Sequence, residues 1–286
     1  MGRFQVLAGA FVLLLVWSQI SQDRPQYPLP QAAPEPLSGV SPRTPPPRPL
    51  RSAMVVASTG KYASLLLSEQ VAALLSCWKP TEEVEFFVFT DAENPVPHHL
   101  VHYTEHQRVG WPRDSYIRPA TFLRIRERLS EFDYIYTIDA DLIPRARVGP
   151  EVLGDLVGLI HPFIGREPNK WTYERNPRSR AYIAPGEGVF YYQASHYGGR
   201  AARVIDLWEH MAKGLAEDEA AGFKAVYEDE SHLNRYFVDH PPTLSLNGSY
   251  SHPGYGLGDQ YPIIVEHIDK RRHGGHDSFR VRLPAS

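Results

Sequence analysis

Two acidic residues lie one position apart at the end of an apolar segment. Asp139 and Asp141 flank Ala140 and directly follow Tyr134–Ile138, whose length and content of β-branched and aromatic residues predict a buried strand. Two carboxylates at the carboxyl end of a strand can share a hard divalent cation, because Mg²⁺ and Mn²⁺ prefer carboxylate, phosphate and water oxygens. The same short pattern also arises by chance in solvated turns, so it indicates a metal site only if its surroundings agree.

A second acidic group, Glu228-Asp229-Glu230, lies just ahead of a helix predicted over residues 230–238. Negative charges in this position complement the dipole at the start of a helix, and Asp229 or Ser231 is a candidate capping residue. Alternatively, one of these carboxylates points into a cleft beside the first acidic pair. Both interpretations stay open on the residues alone.

The segments that position these acids alternate between strand and helix. The predicted strands are residues 53–57, 84–90, 100–103 and 134–138, and the predicted helices are residues 62–78 and 119–129. Pro119 suits the first position of the second helix, where its missing N–H costs nothing. The alternation predicts an α/β fold with a mostly parallel central sheet flanked by helices. Ligands bind beyond the carboxyl ends of such strands, where Ala57, Asp91 and the Asp139/Asp141 pair all fall.

The second half of the chain is less regular. A turn is predicted at residues 186–188 and a strand at residues 189–192. Gly198 and Gly199 are predicted to break this strand from a helix over residues 201–219.

Composition limits the class of protein. With 286 residues, 42% of them hydrophobic, the chain can bury a full core, and a formal net charge of −3 argues against nucleic acid as a main partner. Cys77 is the single cysteine, which excludes an internal disulfide. It lies in an apolar helical pattern and is predicted to be a buried small hydrophobe.

The N-terminal segment predicts a membrane anchor. Residues 4–20 are almost entirely apolar and no small-residue cleavage site follows, so residues 1–21 favour an uncleaved signal anchor over a removed signal peptide. Residues 22–51 are rich in proline and predict an extended stem, although a proline-rich ligand for an SH3-type domain is the alternative. The globular domain is then residues 52–286. This layout is typical of a type II membrane enzyme, and Asn247 in Asn-Gly-Ser is a glycosylation acceptor if the domain is lumenal.

Five short sequence segments in the second half carry a family resemblance. They are Tyr173-Glu174-Arg175, Ala181-Tyr182-Ile183, Phe190-Tyr191-Tyr192, Gly198-Gly199 and Asp229-Glu230-Ser231-His232-Leu233-Asn234. In this order and spacing the chain resembles the family 6 glycosyltransferases, which include the histo-blood-group A and B transferases, α-1,3-galactosyltransferase and the Forssman synthase. The resemblance implies a GT-A fold with an acceptor-binding C-terminal half, in a Golgi membrane enzyme. It also implies an Mn²⁺-dependent transfer of Gal or GalNAc from a UDP-sugar to the 3-hydroxyl of a galactose-type glycan, with retention of the α-anomer.

The same resemblance assigns roles around the metal and the reacting carbon. Asp139 and Asp141, with Ala140 between them, would bind the diphosphate through the metal. Glu230 would be the catalytic carboxylate, either as a covalent nucleophile or as the stabiliser of an oxocarbenium-like species; the residues leave both open. Asp229 would contact the donor sugar.

Further roles follow for the two substrates. Arg118 would contact the donor sugar, although an arginine at the start of a surface helix is the alternative. Tyr62 would contact uridine, and Ala57 stands where an aromatic residue is common, which weakens stacking on uracil. His161 and Tyr227 would contact the acceptor.

Donor choice and closure complete the implied site. Gln193, Ala194 and Ser195 occupy the donor-reading segment, and the bulk of Ser195 relative to glycine favours galactose. Lys270, followed by two arginines, resembles a basic tail that closes over the diphosphate, with a solvated basic end as the alternative.

Two other classes compete with the transferase. Three positions depart from the family: Ala57 replaces a common aromatic residue, Tyr227 stands where tryptophan is common, and Gln193 with Ser195 matches neither well-known donor pattern. These departures are compatible with a catalytically silent relative that binds nucleotide or glycan. A metal-dependent phosphohydrolase would share the acidic pair but would need no sugar-reading segment.

Overall fold

A seven-stranded sheet organises the part of the chain that the computed structural model describes, residues 48–282. The strands are β1 (Arg51–Ser58), β2 (Glu83–Thr90), β3 (Val101–Glu105), β4 (Tyr134–Ile138), β5 (Leu142–Pro144), β6 (Leu156–Ile160), β7 (Tyr192–Arg200), β8 (Leu244–Leu246) and β9 (Val265–His267). The sheet order is β3-β2-β1-β4-β7-β6-β8, and β5 pairs separately with β9.

The predicted mostly parallel sheet is confirmed. Strands β1 to β4 run parallel, as do β6 and β8, whereas β7 is antiparallel to both of its neighbours. The four strands predicted in the first half are all present, with ends shifted by no more than two residues. Strands β1, β2 and β4 form because their apolar runs are buried on both faces of the sheet, as parallel strands require. Strand β3, at the edge of the sheet, is only partly buried.

The prediction for β7 is wrong in its bounds. The strand begins at Tyr192, not residue 189, and runs through Gly198 and Gly199 instead of breaking at them. A Cβ atom on Gly198 would lie 2.6 Å from the carbonyl oxygen of Ile135 in β4, and Gly199 has a φ of +140°. The two glycines therefore allow close passage between neighbouring strands.

Helices cover both faces of the sheet. They are α1 (Lys61–Leu65), α2 (Leu67–Cys77), α3 (Arg113–Leu123), α4 (Arg126–Leu129), α5 (Ala201–Ala220), α6 (Glu228–Asp239) and α7 (His276–Phe279). Helix α5 confirms the prediction for residues 201–219, and α6 begins two residues before its predicted start. The predicted helix 62–78 is divided at Leu66, a break that no proline or glycine marks in the sequence.

The prediction that a helix begins at Pro119 is also wrong. Helix α3 begins at Arg113 and carries Pro119 in its interior, and α4 follows as a separate turn. The Asp114 carboxylate accepts hydrogen bonds from the N–H groups of Val109 (2.9 Å) and Gly110 (3.2 Å), which organises the chain ahead of the helix. The start therefore depends on a side chain in the first turn rather than on the proline.

The core lies on both faces of the sheet. Alternate residues of β1 face opposite sides, Val55 toward a cluster shared with α5 and Val56 toward a cluster shared with α2. Cys77 is half-buried, contrary to the prediction that it is buried. Cys77 lies on the same face of α2 as Ala73, four residues earlier, and Ala73 is also half-buried. This face is at the edge of the buried side of the helix, so it is only partly covered.

The N-terminal prediction falls mostly outside the described residues. The anchor (residues 1–21) and all but the last four residues of the stem (22–51) lie there. Within residues 48–282, no helix combines the length and the apolar character needed to cross a membrane.

Candidate active site

One cavity of about 650 Å³ collects the predicted donor, acceptor and metal residues. These are Ala57, Tyr62, Arg118, Asp139, Ala140, Asp141, His161, Gln193, Ala194, Ser195, Tyr227, Asp229, Glu230 and Lys270. Asn247 is exposed and does not line the cavity; its side chain accepts a 2.9 Å hydrogen bond from the Ser249 N–H. The structure thus brings the predicted residues together, while their roles stay predictions.

The sheet explains this convergence. Ala57 lies near the end of β1, Asp139 follows β4 and His161 follows β6, all at carboxyl ends of parallel strands. Because β7 runs in the opposite direction, its first residues, Gln193 to Ser195, meet the same edge. The Asp139 N–H donates to the Ser195 carbonyl at 2.7 Å, so the acidic turn and the donor-reading segment are directly bonded.

Arg118 joins the two acidic groups. Its Nε donates to Asp229 Oδ2 at 2.7 Å, and its Nη1 donates to Asp139 Oδ1. Burial alone would disfavour the charged guanidinium, but the two carboxylates raise the pKa of Arg118 above its usual range. Arg118 is therefore a buried cation in the cavity wall, and not a solvated residue at the start of a surface helix.

The acidic group at residues 228–230 serves both the helix and the cavity. All three residues lie in the first turn of α6, where they complement the helix dipole. Asp229 and Glu230 also line the cavity, and Asp229 is only 3% exposed. The Ser231 hydroxyl accepts a 3.0 Å hydrogen bond from the Tyr227 N–H.

Asp141 is paired with two basic groups, one at the end of β9 and one shortly after it. His267 Nε2 lies 3.1 Å from its Oδ2, and Lys270 Nζ forms an ion pair with the same oxygen. Although burial would raise the pKa of Asp141, His267 and Lys270 hold it well below its usual range. Sequence reasoning missed His267, because its three-residue strand carries no periodic signal.

The protein atoms available at the acidic pair determine which cation this site could bind. Among the described residues, no group of three or more His, Cys, Asp or Glu side chains is arranged to hold a metal. Asp139 and Asp141 alone supply carboxylate oxygens at the turn, so a bound cation would need other oxygens from ligand or water. Mg²⁺ and Mn²⁺ are commonly held in this way, by one or two carboxylates and a phosphate-bearing substrate.

Glu230 is held by donors to both of its oxygens. Tyr191 Oη donates to Oε1 at 2.6 Å, and the Ala194 N–H donates to Oε2 at 2.9 Å. Asn234 Nδ2 donates to the Glu230 carbonyl at 2.9 Å and to the Tyr192 carbonyl at 2.8 Å, which ties α6 to β7. Burial raises the pKa of Glu230 to about 7 despite these donors. Both protonation states are therefore accessible near neutral pH.

The C-terminal segment forms one wall of the cavity. The ring centroids of Tyr62 and Phe279 are 4.8 Å apart, and Lys61 Nζ donates to Ser278 Oγ at 2.8 Å. Lys270 is 6% exposed and lies 5.6 Å from the centre of the Tyr62 ring.

The remainder of the predicted basic tail does not face the cavity. Arg271 is bonded to the side chain of Asp269, with Nε 2.8 Å from Oδ1, and neither it nor Arg272 lines the cavity. Of the three basic residues predicted to close over the diphosphate, Lys270 alone has the position for that role. Arg280, which sequence reasoning did not single out, lines the cavity from the same segment.

The predicted acceptor residues, His161 and Tyr227, line the same cavity as Glu230. Tyr227 is 43% exposed, and burial lowers the pKa of His161 to about 4, so its imidazole is neutral at neutral pH. Gln193 Oε1 and Ser195 Oγ are buried and have no hydrogen-bond partner within the described part of the chain. Both residues line the cavity.

The fold and the cavity define a class of enzyme. A mostly parallel α/β sheet whose central strand ends in an Asp-x-Asp, beside a further buried carboxylate, is typical of GT-A-type glycosyltransferases. Residues 53–254 match the model of glycosyltransferase family 6, and the chain belongs to that family.

Individual relatives are similar over part of the chain. Histo-blood group ABO system transferase 2 of Rattus norvegicus is 37% identical over 199 residues, covering 65% of this chain and 58% of the relative. Globoside alpha-1,3-N-acetylgalactosaminyltransferase 1 of Homo sapiens is 36% identical over 177 residues, covering 58% and 51%. N-acetyllactosaminide alpha-1,3-galactosyltransferase-like 1 of Rattus norvegicus is 27% identical over 210 residues, covering 69% and 64%. The chain thus matches between 51% and 64% of the length of these relatives.

The hydrogen bond from Tyr191 yields a testable prediction. Tyr191→Phe should raise the pKa of Glu230 above about 7, because the charged carboxylate loses a donor while burial is unchanged. Carboxylate ¹³C NMR titration of labelled glutamate measures this pKa. Tyr192→Phe is the matched control, since Tyr192 Oη lies 2.9 Å from Ser245 Oγ instead. An identical Glu230 titration in wild type and Tyr191→Phe would contradict the proposed coupling.

Proposed function

We propose that this protein is a retaining α-1,3-glycosyltransferase that moves Gal or GalNAc from a UDP-sugar to the 3-hydroxyl of a galactose-type acceptor. The observation that carries the proposal is the Arg118 bridge, which sets Asp139 and Asp229 on one wall of the cavity that also contains Glu230. The names of two relatives support the linkage, since one is an alpha-1,3-N-acetylgalactosaminyltransferase and the other is named alpha-1,3-galactosyltransferase-like.

The metal proposed for this reaction is Mn²⁺. Asp139 and Asp141 would hold it through their carboxylate oxygens, together with diphosphate oxygens of the donor. Such a cation neutralises the charge that develops on the leaving diphosphate. Lys270, which lies beside Asp141, would add a second positive charge on the same side.

The protein groups supply the remaining chemistry. Asp229, held by Arg118, is placed to accept hydrogen bonds from the donor sugar hydroxyls. Ionised Glu230 would face the anomeric carbon as positive charge develops there, and Tyr191 and the Ala194 N–H fix both of its oxygens. This geometry serves a covalent nucleophile and a front-face stabiliser equally well.

Donor choice is proposed to lie at the start of β7. Ser195 lines the cavity and is 3% exposed, and its side chain would occupy space beside the donor sugar. We expect galactose to be favoured, because the side chain leaves less room than glycine for an N-acetyl group.

The cellular setting is proposed from the sequence alone. An uncleaved anchor at residues 1–21 and a proline-rich stem would place the catalytic domain in the Golgi lumen as a single-pass type II protein. Exposed Asn247 would then be open to glycosylation.

A catalytically silent relative is the second candidate. It is favoured by Ala57 at the end of β1, which gives uracil no aromatic surface, and by exposed Tyr227 on the acceptor side. The Glu230 hydrogen-bond network argues for turnover, because binding nucleotide would not require it.

The proposal is tested by Glu230→Gln. This change should lower transfer by about 10²–10³-fold, because the charge facing the anomeric carbon is lost, while the side-chain volume is kept. UDP affinity, measured by calorimetry, should stay close to that of the wild type. Glu228→Gln is the matched control, since Glu228 lines the cavity in the same helical turn and lacks the bonds to Tyr191 and Ala194. Near-normal transfer by Glu230→Gln would remove Glu230 from the catalytic role.

Donor choice is tested at Ser195. Ser195→Gly should raise the use of UDP-GalNAc relative to UDP-Gal by about tenfold, because it opens space beside the donor sugar. Ser195→Ala should give an intermediate ratio, since it removes the hydroxyl and keeps the Cβ atom. The measurement is the ratio of kcat/KM for the two donors. An equal ratio in all three proteins would show that donor choice is made elsewhere in the cavity.

A further inference from the structure

A buried glutamine on the far side of the acidic turn makes two contacts that the proposed chemistry does not use directly. Gln70 lies in the middle of α2 and is 0% exposed. Its Nε2 donates to the Asp139 carbonyl at 2.7 Å and to the Leu142 carbonyl at 2.9 Å. One side-chain amide thus spans both ends of the turn that presents Asp139 and Asp141.

Packing alone does not account for a glutamine here. Carbonyl oxygens only accept hydrogen bonds, so the NH₂ group must face the turn, and Gln70 Oε1 is then left without a partner in the described residues. A buried polar atom without a partner lowers stability, and a leucine of similar volume would avoid it. The neighbouring positions Val71 and Leu74 are apolar and fill the same core cluster. Compared with an apolar residue of similar size, glutamine adds the two hydrogen bonds to the turn.

The turn is held from two further directions, both through backbone atoms. The Asp139 N–H donates to the Ser195 carbonyl at 2.7 Å, and the Asp141 carbonyl accepts from the Ile268 N–H at 2.8 Å. Of these three supports, Gln70 supplies the one made by a side chain, from the helix behind the turn. It is also the one that links the turn to the core cluster of α2.

We propose that Gln70 is a positioning residue for the Asp139 and Asp141 carboxylates, because it fixes the backbone at both ends of their turn. It acts together with Arg118, His267 and Lys270, which contact the carboxylates themselves. The inference rests on the proposed function for its consequence, metal-dependent binding of a nucleoside diphosphate. Groups that orient ligating carboxylates from behind change metal affinity without touching the metal. Small displacements of such carboxylates are enough to weaken binding.

The test compares Gln70→Leu with Tyr136→Phe in the full chain. Gln70→Leu removes both bonds to the turn and keeps the side-chain volume. Tyr136→Phe removes a buried 2.9 Å hydrogen bond from Tyr136 Oη to the Val152 carbonyl, in the same core cluster. It leaves both bonds from Gln70 to the turn in place. A general loss of core stability would affect both variants, whereas loss of positioning would affect Gln70→Leu alone.

The first readout is hydrogen exchange in the protein without ligand. The Leu142 N–H donates to the Asp139 carbonyl at 3.0 Å and reports on opening of the turn. Its exchange should be about tenfold faster in Gln70→Leu and unchanged in Tyr136→Phe. Unchanged exchange at residues 139–142 in Gln70→Leu would overturn the proposal, whatever the protein binds.

The second readout is UDP affinity by calorimetry, with Mn²⁺ and with EDTA. Mn²⁺ should increase the UDP affinity of the wild type, and this increase should be about tenfold smaller in Gln70→Leu. The UDP affinity measured in EDTA should change little. If Gln70→Leu keeps the full gain, positioning is contradicted. If no variant, wild type included, gains UDP affinity from Mn²⁺ while exchange at the turn is faster, the proposed function fails and the structural role of Gln70 stands.

Discussion

The site depends on one buried ion-pair bridge. Arg118 contacts Asp229 and Asp139, which lie 111 and 21 residues away along the chain, and so joins α6 to the end of β4. Burying these charges is costly, and the cost is offset only because the guanidinium is shared between two carboxylates with direct hydrogen bonds. Without the cation, the two carboxylates would repel each other across the cavity. The positions of Asp139 and Asp229 are therefore set together.

The reversal of β7 supplies the other half of the site. A strand parallel to β4 would have its carboxyl end at the cavity. Because β7 is antiparallel to β4, its first residues lie there instead, next to the Asp139 turn. Its glycines, Gly198 and Gly199, allow it to lie close to β4 and β6. From this strand come the Ala194 N–H that binds Glu230 and the side chain of Ser195. The residues proposed for donor reading and for catalysis are thus connected through a single backbone segment.

Sequence reasoning succeeded where the signal is local or carried by a motif. Tyr134–Ile138 forms the predicted strand because a run of β-branched and aromatic residues has few alternatives to a buried strand. The two acidic groups, at residues 139–141 and 228–230, could be predicted because the members of each group are close together in the sequence. The prediction of a break at Gly198 is wrong, because glycine occurs both in turns and inside strands that approach a neighbour closely. The sequence alone does not distinguish these two cases.

The contacts that hold the acidic turn could not be found in this way. Gln70 and His267 lie 69 and 126 residues from the aspartates that they contact. The sequence around these two residues gives no sign of the contacts. Gln70 lies among the helically spaced residues of α2, and His267 lies in a strand of only three residues. Only the pairing of β5 with β9, and the packing of α2 behind β4, make them neighbours.

The most direct measurement combines the purified full chain with UDP-Gal or UDP-GalNAc, in Mn²⁺ or in EDTA. A panel of β-galactosyl, fucosylated and globo-series acceptors is scored by the gain in product mass. The transferase proposal predicts a product larger by a single hexose or N-acetylhexosamine, formed with Mn²⁺ and absent in EDTA. Hydrolysis of the sugar nucleotide without transfer, or UDP binding with no product on any acceptor, would contradict it.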